Sequence, residues 1–152
     1  MSAYLVYLGA IGWEHEAWRG DLYPEDMPED WRLSFYNTRF RCVYLPFELW
    51  RNAAAGAVAG WLHDTHEGFH FVLGAPERLS EDETRKAARF GARGLLENAA
   101  DVLMFEGEPD WRDLARRMQR AAQTGVPLYV ISRDAALPQL EKAAELMGVL
   151  GV

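Results

Sequence analysis

Among its 152 residues the chain has a single cysteine, Cys42, so no intramolecular disulfide can form and nothing points to an oxidising compartment. Cys42 sits in an apolar stretch and reads as a small buried hydrophobe rather than a reactive thiol. Lysine is scarce as well: of 16 basic residues only Lys86 and Lys142 are lysines, a compositional bias that carries no mechanism. The formal charge of -7 argues against a general nucleic-acid or anionic-membrane surface, because both partners are drawn by clustered cations. No apolar run approaches the roughly 20 residues of a membrane span. The start, Met1-Ser2-Ala3-Tyr4-Leu5-Val6, lacks the basic segment and cleavage signal of a secretory peptide, so a cytoplasmic protein is expected. Also missing are a Gly-rich phosphate loop, a His-Glu-x-x-His metal motif, any internal repeat, low-complexity run or linker, and local support for a Ser-His-Asp or Cys-His nucleophile.

What is present is an ordinary globular composition, 49% apolar and 26% charged, at a length that one hydrophobic core organises. A single domain over residues 1–152 is expected. Five short runs rich in β-branched, aromatic or leucine residues predict strands at about 3–8, 41–46, 69–73, 101–106 and 127–132. Most are apolar on consecutive positions, the pattern of parallel strands covered on both faces. Helical spacing falls between them, at 29–38, at 53–64 with Asn52 as N-cap, and from 80 to about 98. Ser80 followed by Glu83 forms a capping box at the start of the third helix. A fourth helix runs from Asp110 as cap to Gly125 as stop, and a fifth begins near Pro138. Five alternations of strand and helix predict an α/β fold with a parallel sheet and right-handed crossovers. The stretch from Gly12 to Pro28 has no periodicity and is rich in aromatics and acids, which predicts an ordered, functional or structural loop.

That stretch also carries a resemblance. Gly12-Trp13, Trp18-Arg19-Gly20, Tyr23-Pro24, Pro28, Trp31, Tyr36, Phe40 and Val43 follow one another as in the opening of the YecE-like family, the seventy-second numbered family of domains of unknown function. The likeness is clearest over residues 9–80, continuing through Trp61, Gly68-Phe69 and Ala75-Pro76. The resemblance implies about five β-α units of a truncated TIM-barrel-like fold; a flavodoxin-like open sheet is the alternative. It names no substrate, because the activity of the family is not established. The chain departs from the family at polar positions: Tyr44, Leu45 and Pro46 stand where the family has Glu-x-Asn, Gly74 where it has lysine, and Gly9-Ala10-Ile11 where it has Gly-Thr-Ser. A framework kept with its polar lining lost suggests a non-catalytic binding or interaction domain.

The strand C-terminal ends, where parallel α/β folds build their sites, supply the candidate residues. A small hydrolase or isomerase acting on a sugar or phosphate compound, with a metal as an option, would use His15, Glu48 and Glu106 as acid, base or ligands. Trp13, Trp18, Arg19, Tyr23, Arg133 and Asp134 are the candidates for ligand binding; rings such as Trp13, Trp18, Tyr23 and Trp50 combine a flat apolar face with a polar edge. The bland reading of the same rings is that they pack the long loop onto the sheet. His63 and His66 flank Asp64 and offer a weaker metal site, and no cofactor can be named. Arg112, Arg116 and Arg120 recur every four residues and give the fourth helix a basic stripe. An open five-strand fragment would expose apolar surface and two sheet edges, so a homodimer is expected, or else closure by the Gly12 to Pro28 loop.

Overall fold

Six parallel strands organise the computed structural model, which describes residues 4–152: β1 (Val6–Ala10), β2 (Cys42–Leu45), β3 (His70–Leu73), β4 (Gly94–Leu96), β5 (Asp101–Phe105) and β6 (Leu128–Ser132). Residue 3, in the expected first strand, lies outside the described residues. Ladders join β2-β3-β4 and β1-β6-β5, with Val6 opposite Leu128 and Cys42 opposite His70. The two sets meet at β1 and β2 through a bridge between Ile11 and Tyr44 and a 3.0 Å bond from Gly12 N to the Tyr44 carbonyl. The spatial order is therefore β4-β3-β2-β1-β6-β5, and the last strand pairs with the first.

The β1–β2 contact is built around one hydroxyl. Tyr36 Oη accepts a hydrogen bond from Ala10 N at 2.8 Å and donates to the Cys42 carbonyl at 2.7 Å, filling a gap in the ladder. Gly9 stands directly over that carbonyl, where a Cβ would overlap the oxygen, so the close approach of the two strands requires glycine.

Helices α1 (Arg32–Arg39), α2 (Phe47–Asn52), α3 (Ala55–His63), α4 (Glu81–Ala88), α5 (Trp111–Thr124) and α6 (Leu137–Leu150) connect the strands. Alternation along each strand sends one set of side chains out under these helices and the other inward. The outer set merges with Leu33, Tyr36, Trp50, Val58, Leu114, Met118, Leu140 and Met147 into the main core. The inner set is a separate cluster of Tyr7, Cys42, Val72, Tyr129 and Ile131 with half-buried Tyr44, Leu95, Val102 and Met104, and among the described residues no helix contributes to it. Helices on one face only make this a shortened TIM-barrel-like α/β fold; a doubly wound, flavodoxin-like sheet carries helices on both faces.

Several expectations change. There are six strands, because Gly94–Leu96 pairs with β3 inside the stretch expected to be helical to residue 98. That helix stops at Ala88, and Gly91, at φ 62°, turns the chain so that Phe90 enters the core. The helix expected at 53–64 is α3, but an unexpected helix, α2, precedes it, and Asn52 ends α2 instead of capping α3: its amide donates to the Glu48 carbonyl at 2.8 Å, while Ala54 is the N-cap of α3. The sheet is not open at β1, since β6 covers that edge. Among the described residues no ladder joins β4 to β5, which are linked by the 3-10 turn Glu97–Ala99, so the seam lies there. The loop from Gly12 to Pro28 does not close it: Trp13, Trp18, Leu22 and Tyr23 belong to the outer core.

Candidate functional site

At the C-terminal ends of the strands, β2 and β4 place Tyr44 and Glu97 together. Tyr44 Oη donates to Glu97 Oε2 at 3.0 Å, and Glu97 Oε1 accepts from Ala75 N at 3.1 Å. Burial, together with the bond to and charge of Glu97, pushes the Tyr44 hydroxyl up to about 12, against the opposing charge of Arg133. The ring of Tyr44 occupies the space that a Cβ at position 74 would need, and Trp50 Nε1 donates to the Gly74 carbonyl at 2.7 Å. Two departures from the family pattern, tyrosine at 44 and glycine at 74, are thus one packing arrangement. Glu97 carries no signal in the sequence, because it falls within the helical spacing of 80–98, where a glutamate is unremarked.

Across the mouth, Asp134 ties the loops after β5 and β6. Its Oδ2 accepts from Gly107 N at 2.9 Å, and its Oδ1 accepts from Ser132 Oγ at 3.1 Å and Ala136 N at 3.3 Å. The bond from Gly107 leads the interactions that hold this carboxyl below the usual carboxylate range. The next residue, Ala135, has φ 54°, an uncommon value for a residue with a Cβ. Its carbonyl accepts from Trp18 Nε1 at 2.9 Å, so the loop after β1 holds this backbone in place. Arg133 is exposed at the same rim.

The aromatic candidates of the long loop are framework. Trp13 and Trp18 are buried, Trp13 packing edge-on to Trp61 at 5.4 Å and Trp18 stacking over Tyr36 at 6.0 Å. Tyr23 Oη donates to the Trp13 carbonyl at 2.7 Å. His15 lies over Trp18 with ring centres 4.4 Å apart and bonds the Ile11 carbonyl through Nε2 at 2.8 Å. Arg19 pairs with Glu16 and, at 3.9 Å, with Glu29. A residue not singled out from the sequence locks this loop: Arg32, 3% exposed, reaches Glu14 at 3.4 Å and Glu16 at 3.3 Å. Its role has no sequence signal beyond the excess of acids that precede it.

Glu48 lies on α2, exposed, pairing with Arg51 at 3.2 Å, and Glu106 is exposed just past β5. Among the described residues no group of three or more His, Cys, Asp and Glu side chains stands close enough to share a metal ion, so His15, Glu48 and Glu106 do not form one. His66 is engaged locally, its Nδ1 accepting from Gly68 N at 3.0 Å.

At the other end of the barrel-like interior, Tyr7, His70 and Tyr129 form a ring stack. Tyr7 lies 4.4 Å from His70 and 4.8 Å from Tyr129, and His70 Nδ1 and Tyr129 Oη hydrogen-bond at 2.8 Å. Burial, then the charge of Arg93, lowers the imidazole from its ordinary 6.5. The interior is thus plugged at its base by rings and bridged at its mouth by Tyr44 and Glu97.

Comparison with curated proteins finds no match. Among solved structures, the chain is similar to a DUF72 family protein from Thermotoga maritima MSB8, at 18% identity and a TM-score of 0.48. The match covers 98% of this chain and 63% of that one, so this chain spans less than two thirds of its length. The family model described as "Protein of unknown function DUF72" matches residues 7–120, most of the chain and every element from β1 into α5. The chain belongs to the DUF72 family.

Proposed function

We propose that this chain is a non-catalytic binding or interaction domain. One observation carries the reading: the interior that would receive a substrate is occupied by Tyr7, Cys42, Val72, Tyr129 and Ile131, and at its mouth Tyr44 is bonded to Glu97 and Ser132 to Asp134. Catalytic groups need a cavity beside them in which a reacting atom can sit. The simplest partner is a second copy, meeting this one along the seam between β4 and β5, where Leu95, Val102 and Met104 are half-buried. We place its action in the cytoplasm, a reading supported by the single, buried Cys42; among the described residues no helix is long and apolar enough to cross a membrane.

The competing reading is a small hydrolase or isomerase acting on a sugar or phosphate compound at the mouth, and the half-buried Tyr44–Glu97 pair is what favours it. Metal analysis of the purified protein, with a thermal-shift and turnover screen against sugars, phosphates and nucleotides, separates the two. The binding reading expects no turnover. A stoichiometric metal lost on His15→Ala, or turnover lost on Glu97→Gln, would overturn it.

A further inference from the structure

Four of the five sequential strand connections carry at least one α-helix, and the exception is β4 to β5, a single 3-10 turn. Helix α5 therefore packs against α6 with no helix from the preceding connection to flank it. Beside α5 and the start of β5 runs a cavity of about 590 Å3, lined among others by Asp101, Asp113, Arg116, Arg117, Arg120 and Val126. Arg117 pairs with Asp101 at 3.2 Å and Arg116 with Asp113 at 3.3 Å, across side chains that are all well exposed. Such pairs exchange partners easily. Arg120 makes no ion pair among the described residues, and Val126 is 54% exposed at one end.

We propose that this groove binds an acidic segment of a partner protein, a surface that rests on the interaction reading above and gives it a partner chemistry. Arg116 and Arg120 are one helical turn apart, and guanidinium groups at that spacing can each take a carboxylate through two parallel bonds. From Arg116 to Thr124 the helix runs about 12 Å at 1.5 Å per residue, room for two turns of a docked helix. Val126 offers an apolar contact beside the charges. Three arginines against two aspartates leave the groove one charge positive on a chain of net charge -7, a local reversal of sign that attracts an acidic partner. A nucleic acid fits less well, because its unbroken run of phosphates would have to pass Asp101 and Asp113 and meet the negative field of the whole chain. Carboxylates on a peptide are discrete and can be spaced to avoid both.

The test is fluorescence anisotropy with a labelled helical peptide bearing glutamates four residues apart and one leucine, alongside a labelled oligouridine. Wild-type protein should bind the peptide, and Arg116→Gln/Arg120→Gln should weaken binding about tenfold or more. The control Arg85→Gln/Lys86→Gln, on α4, should leave it unchanged. Equal loss in the control, tighter binding of oligouridine, no peptide binding, or full competition by millimolar inorganic phosphate would each overturn the proposal. Light scattering on the same samples keeps the readings apart: a lost peptide site with an intact dimer sinks the groove alone, and turnover in the screen above sinks the interaction reading itself.

Discussion

Trp18 shows how a single side chain joins distant parts of the chain. Its ring stacks on Tyr36, which bridges β1 and β2, and its indole N–H holds the carbonyl of Ala135, 117 residues away, in a left-handed backbone. Truncation leaves a cavity and an unbonded carbonyl together, so Trp18→Ala should cost about 3–5 kcal/mol in chemical denaturation. Trp31, 64% exposed in the same region, is the contrast. Trp31→Ala should change stability by less than about 0.5 kcal/mol. A small effect at Trp18 would return the ring to the ligand-stacking role. His70 makes a pH-dependent prediction. Its folded-state pKa lies below the ordinary 6.5, so above that value the neutral imidazole bonded to Tyr129 contributes its full stability. As pH falls through 6.5 toward the depressed value, the unfolded chain binds the proton first and stability declines. The ring stacks on Tyr7 and bonds Tyr129, and the charge of Arg93 acts on it from farther off. Melting temperature measured from pH 7.5 to 5 should fall less steeply in His70→Gln than in the wild type.

Elements were legible where the chain signals its own boundaries. Ser80 and Glu83 form the expected capping box, Asp110 accepts from Arg112 N and Asp113 N at the start of α5, and Gly125 ends that helix at φ 74°. They were illegible where tertiary packing decides. β4 is three residues long and has no period to read; only the burial of Phe90 and the pairing of Phe71 with Gly94 make it a strand. The candidate site divides in the same way. Asp134 is visible as a polar residue after a strand, whereas Glu97 is hidden because it follows a strand only three residues long. Arg32 owes its burial to Glu14 and Glu16, 16 to 18 residues earlier, a pairing no local pattern encodes. The β1–β2 junction is the element-level feature most open to test. Gly9 stands over the Cys42 carbonyl beside Tyr36 Oη, with backbone and a buried ring as neighbours, so nothing nearby can give way cheaply. Gly9→Ala should destabilise by at least about 1–3 kcal/mol, a sign opposite to that of glycine replacement in an open strand. A neutral or stabilising result in urea unfolding would mean that the two strands separate without cost.

At the scale of the molecule, the open question is what the seam costs in water. A fully closed barrel has no edges, and here the junction of β1 with β2 removes two of the four edges that the paired sets would otherwise present. β4 and β5 remain, joined in sequence but not in hydrogen bonding, with Leu95, Ala100, Val102 and Met104 half-buried along the gap. β5 is five residues long, about the usual length of a strand, and carries one charge, Asp101, at its first position. That is little of the charge or proline by which soluble proteins guard an exposed edge. Two copies related by a two-fold axis would cover both seams with the same contacts, which is the arrangement that closes without forming fibres. Light scattering at micromolar concentration should therefore give twice the chain mass, and Val102→Lys, which sets a charge in the gap, should shift the sample toward monomer. Because that residue also faces the inner cluster, circular dichroism must first show that the variant remains folded. A wild-type monomer that binds no hydrophobic dye would end the dimer reading, since the seam would then be shielded by the chain itself.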